Sequence, residues 1–266
     1  MRILTLMLFL AVCSATVFAQ DCPYSKWKEY QGVSMLRHSE GTAYIFVTAH
    51  VKVDADGAPN AYHPDDIGLH CINGQGFKGL DCPANAGYPS SSWWRNALLP
   101  DPSNPNRAFI QPSGEFAGFF VSQTTLKDKR KPDTDPAKYV DAGNIPYIVF
   151  PGKFYKMEGT GRMGDLGYAI NLQTGAKSPF VVAEIGPSKA ELGEMSIALA
   201  KALGGTDPNP RTGGGVPQGK ILYVVFPKSS NDYQWPLSVS DMMKYFAILI
   251  DKVGGIDAVM ACKDDL

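Results

Sequence analysis

The chain of 266 residues carries 25 lysine and arginine residues against 26 aspartate and glutamate residues, a formal net charge of −1. This near balance excludes the strongly basic surface with which nucleic-acid-binding domains hold phosphates, so we expect no nucleic-acid partner. Beyond the N-terminus no segment is apolar enough to span a bilayer, and we expect no membrane partner.

The N-terminal segment, residues 1–19, has the pattern of a secretory signal peptide. Arg2 precedes a short apolar run, residues 4–12, which is too short to cross a bilayer, and small residues mark the cleavage point. A lipoprotein signal at Cys13 is a weaker alternative, because the residue before it is bulky where lipid attachment favours a small one. We therefore expect a secreted protein, extracellular or periplasmic, comprising residues 20–266.

Four cysteines remain after removal of that segment: Cys22, Cys71, Cys82 and Cys262. An even number in an exported chain predicts two disulfides, for which three pairings are possible. We favour Cys71–Cys82, which closes a short loop, together with Cys22–Cys262, which ties the two ends of the chain. No C-x-x-C spacing supports a zinc site.

Segments rich in β-branched and aromatic residues predict a chain that is mainly β. In order, the predicted strands are 43–53, 116–124, 145–150, 167–172, 180–184 and 221–226. Two segments with apolar residues at helical spacing, each followed by a glycine pair, predict helices over 188–203 and 240–253. Long polar loops, 99–107, 127–138 and 204–219, are suited to shaping a binding surface. Six strands with a helix between them predict a single domain built on a small closed barrel with flanking helices.

Two glutamates are the strongest catalytic candidates. Glu184 ends an apolar strand, and a short turn leads into Ser188-x-x-Glu191, a capping box that predicts a helix start. Glu194 would lie in the first turns of this helix, where Gly193 suggests the close approach of a ligand. Two positioned carboxylates are the minimum for acid/base cleavage of a glycosidic bond. The alternatives are a solvated strand end for Glu184 and a helix-dipole partner for Glu194.

Other acidic residues are candidates for binding. Asp54 and Asp56 follow a strong strand but lack the remaining ligands of an EF-hand, so they either bind sugar ammonium or hydroxyl groups or stabilise a turn. Asp165 precedes another strand and either lines a cleft or holds a turn. A further group of polar residues matches no metal-binding motif of defined geometry, so we expect no metal site there. It consists of His63, Asp65, Asp66 and His70.

Several segments together resemble glycoside hydrolase family 75, the fungal-type chitosanases and their bacterial relatives. They are GEMSIALA at 193–200, VDADGAPNAY at 53–62, GLD at 79–81 with NAG at 85–87, and the strand-like segments 145–149 and 221–226. The resemblance extends from about residue 43 to residue 227.

The resemblance implies a double-psi β-barrel that cleaves β-1,4 links between glucosamine units of chitosan without a cofactor. It implies an inverting reaction with Glu184 and Glu194 as the acid/base pair. The sequence does not order the two roles, although we lean towards Glu194 as the acid. Through the segments in which they stand, Asn60, Tyr62 and Asp81 join the expected substrate-binding residues. We expect the protein to act as a monomer.

Two other functions stay open. The first is hydrolysis of another cell-wall glycan such as peptidoglycan, since the loops that set substrate choice are hard to read. The second is a barrel that binds polysaccharide without cleaving it, because Glu184 stands where the family typically has aspartate. Loop aromatics suit either stacking on sugar rings or ordinary packing. They are Tyr88, Trp93, Trp94, Tyr233 and Trp235.

Overall fold

The computed structural model describes residues 22–266. The predicted signal peptide, residues 1–19, lies outside these residues. Within them, no helix is long and apolar enough to cross a membrane.

A nine-stranded mixed sheet forms the body of the protein. Its strands are β1 (Tyr24–Tyr30), β2 (Val33–His38), β3 (Tyr44–Thr48), β4 (Lys52–Asp54), β7 (Tyr147–Pro151), β8 (Leu166–Asn171), β9 (Lys177–Gly186), β10 (Glu194–Ser196) and β11 (Ile221–Val225). They are ordered β1-β2-β3-β11-β8-β9-β7-β10-β4. A separate hairpin pairs β5 (Pro100–Asp101) with β6 (Asn104–Ala108).

Within residues 22–266, five α-helices and four 3-10 turns complete the fold. The helices are α1 (Trp94–Ala97), α2 (Gly152–Tyr155), α3 (Ile197–Ala202), α4 (Val239–Asp251) and α5 (Gly255–Ala261). The 3-10 turns are Pro64–Asp66, Pro136–Lys138, Ser229–Asn231 and Lys263–Asp265.

The mainly β class is confirmed, but the structure does not show the closed six-stranded barrel. The sheet is open: among residues 22–266, the strands at its two ends, β1 and β4, are not paired with each other. Pairing is antiparallel except between β7 and β9 and between β10 and β4. The added strands β1 and β2 were missed from the sequence because their alternation of buried and exposed residues is irregular.

The central strands are buried on both faces. Every residue of β7, β8 and β11 is buried, so these strands read as continuous apolar runs. One face packs against α4 and α5 through residues such as Phe246 and Val259. The other face holds the larger core, which includes Phe180 and Met195. Because the sheet is packed on both faces, β9 and β10 are held in place, and they position the polar residues near their ends, Glu184 and Glu194.

The predicted helix over 188–203 is wrong in its first half. Residues 187–193 form an irregular turn, β10 follows, and α3 begins only at Ile197. The side chain of Ser196 is its cap, accepting from Leu199 N–H. Gly193 has φ +120°, and a Cβ there would lie 2.0 Å from the carbonyl oxygen of His50. This glycine therefore permits close backbone packing, and no ligand is needed to explain it.

Two other helix and strand predictions had different outcomes. The predicted helix 240–253 is confirmed as α4 (Val239–Asp251). The predicted strand 116–124 is wrong, because this segment makes only isolated bridges at Phe120 and Ser122. Its aromatic residues contribute to packing instead, as in the edge-on contact between Phe119 and His63.

Both disulfides are present, with the pairing favoured from the sequence. Cys22 is bonded to Cys262 across 240 residues, and Cys71 is bonded to Cys82 across 11. The first joins the residue just before β1 to the C-terminal end of α5. The second closes the loop that leads to Asp81.

Candidate functional site

Five carboxylates from four parts of the chain gather at one edge of the sheet. They are Asp54, Asp56, Asp81, Glu184 and Glu194, which we call the carboxylate cluster. Parallel pairing of β10 with β4 places Glu194 opposite Lys52 and Ser196 opposite Asp54. Strand β7 lies between β10 and β9 and so brings in Glu184. The structure thus unites both predicted catalytic residues with three of the predicted binding residues.

Glu184 is positioned by an irregularity in β9. Ile148 of β7 pairs with Val182 and Val149 pairs with Glu184, so Ala183 has no partner on β7. The carbonyl of Ala183 instead accepts from Leu126 N–H at 2.9 Å. Such a bulge redirects the side chain that follows it. The extra residue therefore sets the direction of the Glu184 carboxyl.

The Glu184 carboxyl is held by three donors. Thr125 donates its hydroxyl to Oε1 at 2.5 Å and its N–H to Oε2 at 2.6 Å, and Ile185 N–H donates to Oε1 at 2.7 Å. Burial raises the pKa of Glu184 to about 7, although these three bonds act in the opposite direction. A hydroxyl both donates and accepts, so Thr125 can hold Glu184 in either protonation state.

Glu194 lies over the strand that carries Glu184. A Cβ built on Gly186 would be 3.3 Å from Oε2 of Glu194, so the glycine leaves space for this carboxylate. Residues two apart on a strand face the same side, with Cα atoms about 6–7 Å apart. Glu184 and Gly186 are such a pair, so the Glu194 carboxylate, carried by β10, lies over the face of β9 from which the Glu184 side chain projects.

Lys52 is the cation of the cluster. Its ammonium Nζ lies 2.9 Å from Oε1 of Glu194. Burial would lower the pKa of Lys52, but the negative charges of Glu194, Asp54 and Asp81 outweigh burial and raise it. One side of Glu194 is thus occupied by an ion pair, and no protein group within residues 22–266 hydrogen-bonds to its Oε2.

Asp54 and Asp56 are bound by tyrosine hydroxyls. Tyr147 donates to Oδ2 of Asp54 at 3.0 Å, and Tyr62 donates to Oδ1 of Asp56 at 2.9 Å. Burial and the charge of Glu194 raise the pKa of Asp54 to about 8. Burial and the charge of Asp54 likewise raise the pKa of Asp56 well above its usual range. At neutral pH the cluster therefore shares protons, because its carboxylates repel one another in a desolvated site.

Asp81 and Asn60 link the cluster to its neighbouring loops. Oδ1 of Asp81 accepts from Cys82 N–H and from the Asn85 side chain, and burial raises the pKa of Asp81. The Tyr62 hydroxyl lies 3.4 Å from Oδ2 of Asp81. Asn60 contributes its backbone carbonyl, which accepts from Leu80 N–H, and within residues 22–266 its side chain has no hydrogen bond.

Asp165 lies apart from the cluster and is fully buried. Its Oδ2 accepts from the N–H groups of Arg162 and Lys228, and its Oδ1 accepts from the N–H and the hydroxyl of Ser230. Four donors occupy both oxygens. This arrangement matches the alternative in which Asp165 holds a turn.

Other predicted features are dispersed. No group of three His, Cys, Asp or Glu residues in the described part of the chain is arranged to hold a metal ion. Asp66 accepts from the N–H groups of Lys78 and Gly79, which orders the loop closed by Cys71–Cys82. Tyr88 packs against Trp94 and Phe120, as the packing alternative expects.

Three residues of the site were missed from the sequence: Lys52, Thr125 and Tyr147. Lys52 stands two residues before Asp54 in a strand, and period-2 alternation was a signal that both face one side. Tyr147 lies in a predicted strand, and no feature of the sequence indicates that its hydroxyl bonds to Asp54. Thr125 comes from a loop, and nothing local indicated that it would meet Glu184.

Comparison with known proteins adds no assignment. No family model matches the chain, and no curated protein matches it.

Proposed function

We propose that this protein is a secreted, endo-acting glycoside hydrolase of the family 75 type, which cleaves β-1,4 glucosaminide links in chitosan. The observation that carries the proposal is the pair of buried carboxyl groups Glu184, on β9, and Glu194, on β10, which meet in one site. They are 9% and 8% exposed, and both belong to a cluster of five acidic residues. Acid/base cleavage of a glycosidic bond requires two such positioned carboxyl groups.

The surroundings of the two glutamates favour an order of roles opposite to the one to which the sequence leaned. Burial raises the pKa of Glu184 to about 7, so this group retains a proton that it can donate to the departing glycosidic oxygen. Glu194 is the anion of an ion pair with Lys52, and its Oε2 faces Gly186. We assign Glu184 as the acid and Glu194 as the base.

The inverting reaction that the resemblance implies belongs to the same proposal. Oε2 of Glu194 lies near Gly186, two residues along β9 from Glu184, so the two carboxyls belong to one site. Inverting enzymes separate their carboxyls by roughly 6.5–9.5 Å, which leaves room for a water molecule. Glu194 would take a proton from that water as the water oxygen bonds to the anomeric carbon. Glu184 would protonate the leaving oxygen as the glycosidic bond breaks.

The charge of the site supports a cationic substrate. Lys52 supplies one positive charge against the five acidic groups of the cluster. Because burial raises the pKa values of Asp54 and Asp56, their charged forms are unfavourable without a compensating cation. The ammonium groups of glucosamine units would supply that compensation, whereas a neutral glycan would not.

The fold and location belong to the same proposal. Two parallel strand pairs in an otherwise antiparallel sheet favour the double-psi topology that the resemblance implies, and the open strand order counts against it. Export is supported by two disulfides, which form in oxidising compartments.

The test is reducing-end release from soluble, highly deacetylated chitosan by wild type, Glu184→Gln and Glu194→Gln. Each substitution should lower kcat by about 10²–10⁴-fold, the usual contribution of a general acid or base. Exposed Glu40→Gln serves as the matched control and should retain wild-type turnover. Circular dichroism and thermal unfolding establish that all four proteins are folded.

The outcomes separate the candidate functions. Turnover that depends on both glutamates supports the proposal, and the anomer of the first product then tests inversion. Absence of turnover by folded wild type contradicts it. Peptidoglycan hydrolysis and pull-down on insoluble glycans then distinguish another hydrolase from a protein that only binds polysaccharide.

A further inference from the structure

A cavity of about 460 Å³ lies beside the carboxylate cluster but contains none of its acidic side chains in its lining. Gly57 lines it, whereas the preceding residue, Asp56, belongs to the cluster. The other wall comes from the segment around Tyr139 and from Trp235 to Leu237. We call it the Trp235 cavity. Its size is in the range of pockets that hold small ligands.

The walls of the Trp235 cavity combine an aromatic surface with acidic groups. Trp235 is half-buried and Tyr139 is buried, and Phe116 lines the cavity from a neighbouring loop. Its acidic lining residues are Glu115, Asp128, Asp135 and Asp141, and its basic lining residue is Lys138.

Ion pairing leaves a negative charge on this lining. Asp128 pairs with Arg130, Asp135 with Lys131, and Lys138 with Asp133. Within residues 22–266, Glu115 and Asp141 form no ion pair. Asp141 accepts from Gly143 N–H and from the Asn144 side chain, which fixes its position without neutralising it.

We propose that the Trp235 cavity is a second saccharide site that binds a glucosamine unit of the polymer away from the unit being cleaved. This proposal rests on the proposed function for the identity of the polymer. A pyranose ring has an apolar face that suits Trp235, and its ammonium group complements the charges of Glu115 and Asp141.

The position of the cavity suits a site for the continuing chain. Gly57 and Asp56 are consecutive, and a Cβ on Gly57 would lie 2.2 Å from the carbonyl oxygen of Val140. Val140 N–H donates to the hydroxyl of Thr124, the residue before Thr125, which holds Glu184. Cavity and cluster therefore share a wall, and a sugar held in one keeps the polymer near the other.

The test is isothermal titration calorimetry of a glucosamine hexamer with Glu184→Gln, which binds without turnover. Trp235→Ala in this background should weaken binding about five- to tenfold, the value of one aromatic contact. Glu115→Gln should weaken it about two- to fivefold, with less effect at high salt. Trp235→Phe keeps an aromatic face and should retain most of the affinity. Exposed Glu40→Gln should change nothing.

The outcomes also separate this proposal from the proposed function. Equal binding by the parent, Trp235→Ala and Glu115→Gln would overturn the second site and leave the catalytic proposal standing. Absence of hexamer binding by Glu184→Gln itself would also overturn the second site. Binding that depends on Trp235 and Glu115, combined with no chitosan turnover by wild type, would support the second saccharide site and contradict the proposed hydrolase function. Because Glu115 is exposed, its variant keeps the test valid even if Trp235→Ala fails to fold.

Discussion

Lys52 and Glu194 face each other across the parallel strands β4 and β10, with Nζ of the lysine 2.9 Å from Oε1 of the glutamate. The lysine side chain is 60% exposed, whereas that of Glu194 is 10% exposed. The ion pair thus lies at the boundary between solvent and a desolvated acidic site. This contact distinguishes Glu194 from Glu184, whose partners are all hydrogen-bond donors without charge.

Lys52→Gln should lower kcat on chitosan by about tenfold or more, because Glu194, the proposed base, loses the cation that orients it and balances its charge. Lys52→Arg should restore part of the loss, since it keeps the positive charge. Steady-state kinetics on both variants measures this, with exposed Lys26→Gln as the matched control. Unchanged kcat in Lys52→Gln would show that the ion pair has no part in turnover.

The activity of wild type should decline above pH 7. Burial raises the pKa of Glu184 to about 7, and the proposed acid must be protonated to act. Above that pH, kcat/KM should fall about tenfold per pH unit. A pH–rate profile from pH 4 to 9 measures this. A rate that stays level to pH 9 would contradict the assignment of Glu184 as the acid.

Stability should decrease as the pH rises from about 4.5 to about 7. Unfolded Glu184 titrates near 4.5, whereas folded Glu184 keeps its proton to about 7. Between these values folded Glu184 binds more protons than unfolded Glu184, so its contribution to the free energy of unfolding falls as pH rises and levels off above pH 7. Thermal unfolding at pH 5 and pH 8 should show a smaller difference for Glu184→Gln than for wild type. Glu40→Gln should behave like wild type.

Tyr147→Phe should lower the free energy of unfolding by about 1–3 kcal/mol, because Asp54 then loses the donor of a buried hydrogen bond. Tyr223 provides a matched control. It is equally buried, and its hydroxyl has no hydrogen-bond partner in the described part of the chain. Tyr223→Phe should stay within about 0.5 kcal/mol of wild type. Urea unfolding measures both, and equal losses would contradict the importance of the Tyr147 contact.

Replacing both cysteines of Cys22–Cys262 by alanine should destabilise the protein more than replacing those of Cys71–Cys82. In the chain-entropy model, cross-links across 240 and 11 residues stabilise by about 5 and about 3 kcal/mol. Denaturant unfolding of the two double variants tests the order. The reverse order would indicate that the smaller loop, with its contacts to Asp81, contributes more than its length implies.

Local patterns predicted much of the sheet. Strands β7, β8 and β11 are buried throughout and β9 is buried over residues 178–184, and buried strands are predictable because they are rich in apolar and β-branched residues. The helix over 188–203 failed because its capping box was a local signal that β10 overrode through pairing with β4. The true cap, Ser196, lies where that strand ends.

The sequence by itself placed acidic residues at or near strand ends, including Glu184 and Asp54, and favoured the disulfide pairing that is present. Only the tertiary structure decided that Lys52 meets Glu194 and that Thr125 holds Glu184. The reason is that parallel register and a bulge at Ala183 join segments more than 50 residues apart. No local propensity encodes such contacts, because they arise only when the strands on both sides are already packed.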